Sequence, residues 1–413
     1  MKIGIFTYGS RGDVQPFIAL AIALKARGHD VLLGAPENFQ TTVESYNISY
    51  HKIHGDLEKL MYEPGIQTVL NTGNSFTLLR ALQKNADEDS QQVSRDLIAG
   101  CEKVDGIITT FIPLFYVASI AEKLRKPLIN VIFNPPTTAT KEFPNFDLDF
   151  LNFPTYNCFS HNLFNFIIWQ VYKKRINQFR QEIGLAKSQK SILKNMEETG
   201  VPTIYAISPQ LVAKPTDWKN NYSITGFLSL KETINQENKV FADWLKNGLK
   251  PIYIGFGSIP MPKKMIDIIQ KILQNTNERI VLCKGWSVTD ELQNSERLFI
   301  VDSASHDWLF PQCKLAIFHG GAGTLSNVLK SQIPVIIISI FADQPTWGKI
   351  VAQKKLGIYI PAKKITAEKI ILTIQQAQTD EIKSNVGAIG QKIRNENGVE
   401  NATNEIEKYF NKK

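Results

Sequence analysis

The sequence predicts an α/β fold made of two doubly wound, parallel-sheet domains. The chain has 413 residues, 43% of them hydrophobic, which is enough for two cores of ordinary size. Short continuous apolar runs are typical of strands covered on both faces, and they alternate with segments of helical periodicity. The alternation pauses at a polar stretch, 214–238, and then begins again. We therefore expect a first domain at 1–219 and a second at 220–395.

Each predicted strand is a short apolar run. The runs in the first half are 3–7, 31–35, 107–110, 128–133 and 204–207, and those in the second half are 251–255, 280–282, 298–301, 315–318 and 335–338. A helix is predicted at 14–27, directly after the first strand. A C-terminal helix is expected within 396–413; the sequence does not say which half it packs on, and a return to the first domain is one arrangement. Ligands of such folds bind at the carboxyl ends of the strands.

Composition excludes several function classes. The net charge of +8 favours anionic ligands, but the basic residues are spread along the chain and do not indicate nucleic acid. The four cysteines lie far apart without metal-ligand spacing, so we expect reduced thiols and no metal site. The apolar stretch at the N-terminus is too short for a signal peptide, and no run approaches the roughly 20 apolar residues of a membrane span. A cytoplasmic protein, monomeric or weakly dimeric, is the expectation.

One aromatic segment, 143–172, is followed by Lys-Lys-Arg. It has three interpretations: a peripheral contact with a membrane surface, a wall of a pocket for a lipophilic ligand, or a core helix with its approach loop.

The most informative stretch is LAIFHGGAGTLSNVLK, residues 315–330. A strand ends just before His319, glycines follow, and Thr324 begins a helix. Glycines let the backbone approach a ligand, and the free N–H groups of a helix N-terminus favour an anion. The stretch lacks the P-loop lysine and the dinucleotide pattern GxGxxG. It predicts a phosphate site in which His319 can donate a hydrogen bond, unless it is only a tight turn with a structural histidine.

Three further strand ends carry ligand-binding side chains. Asp343 and Gln344 follow the run at 335–338 and are suited to gripping the vicinal hydroxyls of a sugar, although a solvated loop is the alternative. Trp286 follows the run at 280–282, where its indole can stack on a planar base or belong to the core. Ser258 follows a strand and a glycine, so its hydroxyl can reach a phosphate.

Six motifs occur in order along the chain: GSRGDVQP, FGS, GW, HDWLF, HGGAGT and DQPTWG. In this order they resemble the GT-B nucleotide-sugar glycosyltransferases of family 1, in the branch of the sterol glucosyltransferase-like and glycopeptide-antibiotic glycosyltransferase-like enzymes that glycosylate natural products. The resemblance implies two Rossmann-like domains that face a cleft, with the donor held by the second domain and the acceptor by the first.

Transferred residue by residue, the resemblance implies a complete donor site. Trp286 would stack on uracil, and Asp343 and Gln344 would hold the hexose. The residues implied for the diphosphate are Ser258, His319, Gly321, Gly323 and Thr324, and Gly12 is implied as a further donor-binding residue. No metal and no cofactor are expected, because the helix N-terminus and His319 would neutralise the leaving group. The implied reaction moves a hexose, with UDP-glucose as the foremost donor, to a lipophilic hydroxyl with inversion.

The same resemblance implies a catalytic role for the turn between the first strand and the first helix. Much of the family has histidine as general base in a GHxxP turn, and Asp13 takes that place here. A carboxylate with the usual pKa of about 3.9 is a weak base for an alcohol unless it is desolvated. A helix cap is the alternative role for Asp13. Arg11 either contacts the diphosphate or begins the helix in solvent.

The acceptor site is indicated by position only. The candidate wall residues are Phe76, Phe111, Asn134, Phe143, Phe146 and Trp169. The sequence leaves the acceptor class open among sterols, flavonoids and other phenols, macrolides and lipids. The plant branch of the family binds ribose with a glutamate where this chain has Asn327. The alternatives are a dTDP-sugar donor and a non-catalytic relative that binds nucleotide sugars or lipids.

Overall fold

The computed structural model describes residues 1–63, 66, 90–231 and 239–412. The chain forms two compact units. The first unit comprises Met1–Asp56, Ala86–Leu230 and Asn397–Lys413, and the second comprises Leu57–Asn85 and Lys231–Glu396.

The described elements alternate as the sequence predicts. The strands are β1 Lys2–Phe6, β2 Asp30–Pro36, β3 Ser49–Ile53, β4 Gly106–Thr109, β5 Leu128–Ile132, β6 Thr203–Tyr205, β7 Tyr222–Ile224, β8 Ile252–Gly255, β9 Ile280–Cys283, β10 Leu298–Val301, β11 Leu315–Phe318, β12 Val335–Ser339 and β13 Gly357–Pro361. The helices are α1 Arg11–Ala26, α2 Gln40–Ser45, α3 Leu57–Met61, α4 Leu114–Leu124, α5 Pro154–Glu182, α6 Ile192–Thr199, α7 Lys239–Lys246, α8 Lys264–Asn275, α9 His306–Leu309, α10 Ala322–Lys330, α11 Gln344–Gln353, α12 Ala367–Gln376, α13 Asp380–Arg394 and α14 Gly398–Phe410. Residues 90–102 are also helical.

Both sheets are parallel throughout. The first unit has the strand order β3-β2-β1-β4-β5-β6-β7, and the second has the order β10-β9-β8-β11-β12-β13. In the first sheet Ile3 of β1 lies opposite Val31 on one side and Gly106 on the other. The central strands are buried along their whole length, which explains their continuous apolar runs. The predicted α/β fold with two parallel-sheet units is confirmed.

The terminal helix α14 packs on α1 within the first unit. Ile406 and Phe410 join the core formed by Ile3 and Phe17. At the end of α1 the guanidinium of Arg27 is paired with the carboxylates of Glu400 and Glu407. The arrangement that the sequence left open is therefore a return of the chain to its first unit.

The strand predictions and the domain boundary differ in outcome. Every predicted strand is present, with its ends shifted by no more than one or two residues. The expected boundary at residue 219 is wrong, because Tyr222–Ile224 pairs with β6 and completes the first sheet. The first unit consequently extends to Leu230.

Candidate active site

In the second unit four loops follow four neighbouring parallel strands. Because β9, β8, β11 and β12 are adjacent in that order, the loops at their carboxyl ends lie along one edge of the sheet. The predicted donor residues on these loops are Trp286 after β9, Ser258 after β8, His319, Gly321, Gly323 and Thr324 after β11, and Asp343 and Gln344 after β12. The fold thus brings the predicted donor residues of this unit to one edge.

The helix that follows β11 begins without a side-chain cap. Gly321 is the N-cap residue of α10, and no side chain accepts a hydrogen bond from the first turn. The first helical hydrogen bond runs from the N–H of Leu325 to the carbonyl of Gly321, at 2.9 Å. The N–H groups of Ala322, Gly323 and Thr324 therefore have no acceptor within the helix. Such a terminus attracts an anion.

His319 lies against this terminus as a neutral ring. A β carbon at Gly321 would lie 2.5 Å from its Nε2 atom, so the ring and the first turn approach closely only because residue 321 is glycine. Burial, with a smaller contribution from His306, lowers the pKa of His319 to about 4. The buried Nδ1 atom has no hydrogen-bond partner among the described residues. At neutral pH the ring consequently offers a hydrogen bond but no positive charge.

The loops that carry Ser258 and Trp286 hold each other in place. The backbone N–H of Trp286 donates to the carbonyl of Gly257, at 3.0 Å. The carbonyl of Trp286 accepts a hydrogen bond from the hydroxyl of Tyr62. Both Ser258 and Trp286 are partly exposed, so their side chains stay accessible at the strand ends.

The Asp343 and Gln344 side chains are fixed by neighbours on their own loop and helix. Oδ2 of Asp343 accepts a hydrogen bond from Nε1 of Trp347, at 2.9 Å. Oε1 of the buried Gln344 accepts from the backbone N–H groups of Ile340 and Phe341, at 2.7 and 3.2 Å. The amide oxygen of Gln344 is therefore used within the protein, which leaves its Nε2 group to donate to a ligand.

In the first unit the β1–α1 turn holds Asp13 by its own backbone and hydroxyl groups. Oδ2 of Asp13 accepts from the backbone N–H of Ser10 at 2.8 Å and from its hydroxyl at 3.3 Å. The hydroxyl of Thr7 donates to the Asp13 carbonyl at 2.9 Å. A β carbon at Gly9 would lie 2.1 Å from Oδ2, so glycine is required beside the carboxylate. No other described residue donates to this carboxyl group, and Oδ1 is left to act on a ligand.

Burial changes the acidity of this carboxylate. The atoms packed round Asp13 raise its pKa from 3.8 to about 6, and the two hydrogen bonds from Ser10 only partly offset this effect. Asp13 is still ionised at neutral pH, but it is a stronger base than an ordinary aspartate. Asp13 is therefore desolvated, which is the condition under which a carboxylate can serve as a base for an alcohol.

The other predicted residues of the first unit lie in two places. Arg11 and Gly12 are exposed in the first turn of α1. Phe111 and Asn134 follow β4 and β5, and because β4 adjoins β1 they lie at the same sheet edge as Asp13. Phe143 stacks on Phe146 with ring centroids 5.4 Å apart in the loop before α5. Phe76 lies outside the described residues.

Trp169 lies on helix α5, beside the sheet of the first unit. Its side chain is buried and lines a cavity of about 440 Å³ together with Asn130 and Tyr205. Ile129 and Val131 pack with α1, so the intervening Asn130 faces the opposite side of the sheet. Trp169 also belongs to a core cluster against which Phe111, the residue near the end of β4, is packed.

Three supporting residues escaped the sequence analysis: Ser10 and Thr7 beside Asp13, and Trp347 beside Asp343. Two of them had a sequence signal. Ser10 and Asp13 form the S-x-x-D pattern of a helix N-terminus. Trp347 follows Asp343 by four residues, the spacing at which helical side chains meet.

Comparison with known proteins finds family matches in both units. The model of the glycosyltransferase family 28 N-terminal domain matches residues 3–144, and that of the erythromycin biosynthesis protein CIII-like C-terminal domain matches residues 286–411. Two sterol 3-beta-glucosyltransferases of Arabidopsis thaliana are 33% and 31% identical to the chain over 99% of its length. The chain spans 66% and 68% of those proteins, and 27% of a sterol 3-beta-glucosyltransferase of Cryptococcus neoformans that is 30% identical.

Solved structures share the fold at lower identity. The kitacinnamycin glycotransferase superposes with a TM-score of 0.71 at 13% identity, covering 98% of both chains. The glycosyltransferase VinC in complex with DTDP gives a TM-score of 0.70 at 13% identity, covering 100% of both chains. The chain therefore belongs to the GT-B nucleotide-sugar glycosyltransferases, in the branch that contains the sterol glucosyltransferases.

Proposed function

We propose that this protein is an inverting glycosyltransferase that moves a hexose from a UDP-sugar to a hydroxyl group of a lipophilic acceptor, giving a β-glycoside from an α-linked donor. UDP-glucose is the first donor to test. The observation that carries the proposal is the uncapped N-terminus of α10 beside His319, at an edge where ligand-binding side chains from four strands meet.

In the proposed complex the second unit holds the donor. The first-turn N–H groups of α10 bind the pyrophosphate, with a hydrogen bond from His319 and another from the hydroxyl of Ser258. Trp286 stacks on the uracil ring. The carboxylate of Asp343, oriented by Trp347, accepts from sugar hydroxyls, and Nε2 of Gln344 donates to one. The helix terminus also stabilises the UDP leaving group as its charge develops, so we expect transfer to need no metal.

In the first unit Asp13 acts as the general base. The acceptor oxygen attacks the anomeric carbon while its proton passes to Oδ1 of Asp13, the bond from that carbon to the UDP oxygen breaks, and UDP leaves with the bonding electrons. Oδ2 stays hydrogen-bonded to Ser10 during the transfer. The raised pKa of Asp13 supports this role, because it strengthens the base while leaving it ionised at neutral pH.

The acceptor class is proposed from the relatives and from the sheet edge. The similar proteins named above are sterol 3-beta-glucosyltransferases, which supports a hydroxylated ring system as acceptor. Phe111 and Asn134, at the same edge as Asp13, offer an apolar contact and a polar one for such a molecule. Phenols, macrolides and lipids are further candidate acceptors, to be compared with sterols in the panel described below.

The test is a donor and acceptor panel. The full chain is incubated with UDP- and dTDP-hexoses and with sterols, phenols and macrolides; products are detected by mass, and the anomeric configuration is determined by NMR. The proposal expects acceptor-dependent release of UDP and a β-glycoside. UDP binding without acceptor-dependent release would instead support a non-catalytic nucleotide-sugar binder. A preference for dTDP-sugars would replace the proposed donor.

A further inference from the structure

The first half of helix α5 reverses the usual distribution of side chains. Its buried side is polar: Asn157, Ser160 and His161 are buried. Each contacts the loop before the helix, since Nδ2 of Asn157 donates to the Lys141 carbonyl at 2.9 Å, the Ser160 hydroxyl accepts from the Asn145 N–H at 2.8 Å, and His161 contacts the Phe143 carbonyl. A helix that faces water normally buries its apolar side. With this polar anchor, Phe159, Phe166 and Ile167 of the helix lie on the outside.

The outward side carries exposed aromatic residues among polar ones, since Thr155, Asn162 and Gln170 are exposed on the same face. Six of the fourteen exposed large hydrophobic side chains in the described parts of the chain are Phe150, Leu151, Phe153, Phe159, Phe166 and Ile167. Phe159 and Phe166 are seven residues apart, on one face of the helix, and are 56% and 57% exposed. We call these six residues the aromatic ridge. Such a concentration of exposed apolar surface marks an interaction site.

Basic residues continue the same face. Lys173 and Lys174 follow Phe166 and Ile167 by seven residues, so they lie in line with the ridge two turns further along α5. Both are exposed, and neither forms an ion pair with a described carboxylate. Glu182, eight residues after Lys174, is the nearest carboxylate along the chain to these lysines, and Asp147 and Asp149 precede the ridge at its other end. The lysine end of the helix is therefore complementary to an anionic surface.

We propose that the aromatic ridge docks on an anionic lipid bilayer, with the outward face of α5 in the interface and Lys173 and Lys174 on lipid headgroups. An amphipathic helix with apolar and basic residues on its outer side lies in the plane of a membrane surface. Among the described residues no helix is long and apolar enough to cross a bilayer. The inference rests on the packing of α5, so it stands or falls separately from the proposed sugar transfer.

Vesicle flotation tests the docking. The full chain is mixed with extruded vesicles of phosphatidylcholine alone or with phosphatidylglycerol, at low and high salt. We expect binding to the anionic vesicles that weakens with salt. The F159Q/F166Q variant should lose about 100-fold in partitioning, since each phenylalanine withdrawn from water contributes about 10-fold. K173Q/K174Q should lose about 10-fold on anionic vesicles only.

Matched variants control for general effects. L249Q/L372Q removes two exposed leucines elsewhere, and K363Q/K364Q removes an adjacent pair of exposed lysines; both should bind vesicles like the unaltered chain. Thermal unfolding of each variant checks that it is folded. In a second measurement F159W places an indole on the ridge, and brominated phospholipid should quench its emission, whereas L249W should be quenched less.

Three results would overturn the proposal. One is equal vesicle binding by the ridge variants and their controls. Another is no binding of the unaltered chain to anionic vesicles, together with unquenched F159W. The third is a dimer that dissociates in F159Q/F166Q while vesicle binding stays absent, because a second copy of the chain would then cover the ridge.

Discussion

Two helix N-termini of this protein follow similar turns but differ in their acidic side chains. Both α1 and α10 follow a buried parallel strand through a glycine-containing turn. At α1 the chain supplies its own anion, because Asp13 accepts hydrogen bonds from Ser10. At α10 the first turn contains no acidic residue, and its N-cap is Gly321. The difference teaches that a strand–glycine–helix turn can either fix the position of its own carboxylate or present a first turn without one, to which the proposed function assigns the pyrophosphate.

The largest expected effect is a loss of turnover when the charge of Asp13 is removed. D13N keeps the shape of the side chain but cannot accept a proton, so kcat should fall by about 1,000-fold. UDP affinity, measured by calorimetry, should stay unchanged if the second unit holds the nucleotide. D267N is the matched control, since Asp267 is also a carboxylate in the first turn of a helix. Unaltered turnover in D13N would remove Asp13 from the reaction.

A smaller loss is expected from crowding the N-terminus of α10. In G321A the new β carbon would lie 2.5 Å from Nε2 of His319, so the ring must move away from the phosphate position. UDP affinity should fall about 10-fold, the effect of losing one hydrogen bond to a charged group. G387A is the control, because nothing lies within 4 Å of its β carbon. Equal UDP affinity in G321A and G387A would argue against a phosphate at α10.

The pH profile tests whether burial makes Asp13 a base. Because its pKa is raised to about 6 and only the ionised form accepts a proton, kcat/KM should decline as pH falls through about 6. S10A removes one hydrogen bond that stabilises the carboxylate, so its acidic limb should move to higher pH by less than one unit. A profile that is flat down to pH 4 in the unaltered chain would contradict the desolvation.

The smallest effect is expected in stability. A carboxylate whose pKa is higher in the folded chain than in the unfolded chain takes up a proton more readily when folded, so the stability that it contributes falls as pH rises from 3.8 through 6. D13N avoids burying that charge. Its Tm should exceed that of the unaltered chain at pH 8, and the difference should shrink toward pH 4. A lower Tm at pH 8 would mean that the Ser10 hydrogen bonds outweigh desolvation.

The strands that the sequence missed have a common physical property. β3, β7 and β13 are all edge strands, which pair on one side only. β3 reads Ser-Tyr-His-Lys-Ile and is half-exposed, so it lacks the continuous apolar run of a buried strand. β7 has three residues, too few for a periodic signal. The misplaced domain boundary follows from the same cause, since it was drawn before β7.

The sequence by itself determined the strand–turn–helix units and the chemistry at their ends, because apolar runs, glycines and the residues that follow them are local features. His319, Asp343 and Asp13 could all be named from such turns. Only the tertiary structure decided that β9, β8, β11 and β12 are neighbours, that Trp169 is buried beside a cavity, and that α5 turns Phe159 and Phe166 outward. It also decided the basicity of Asp13. Strand order, helix orientation and desolvation all depend on contacts between residues far apart in the chain, and no local pattern encodes those contacts.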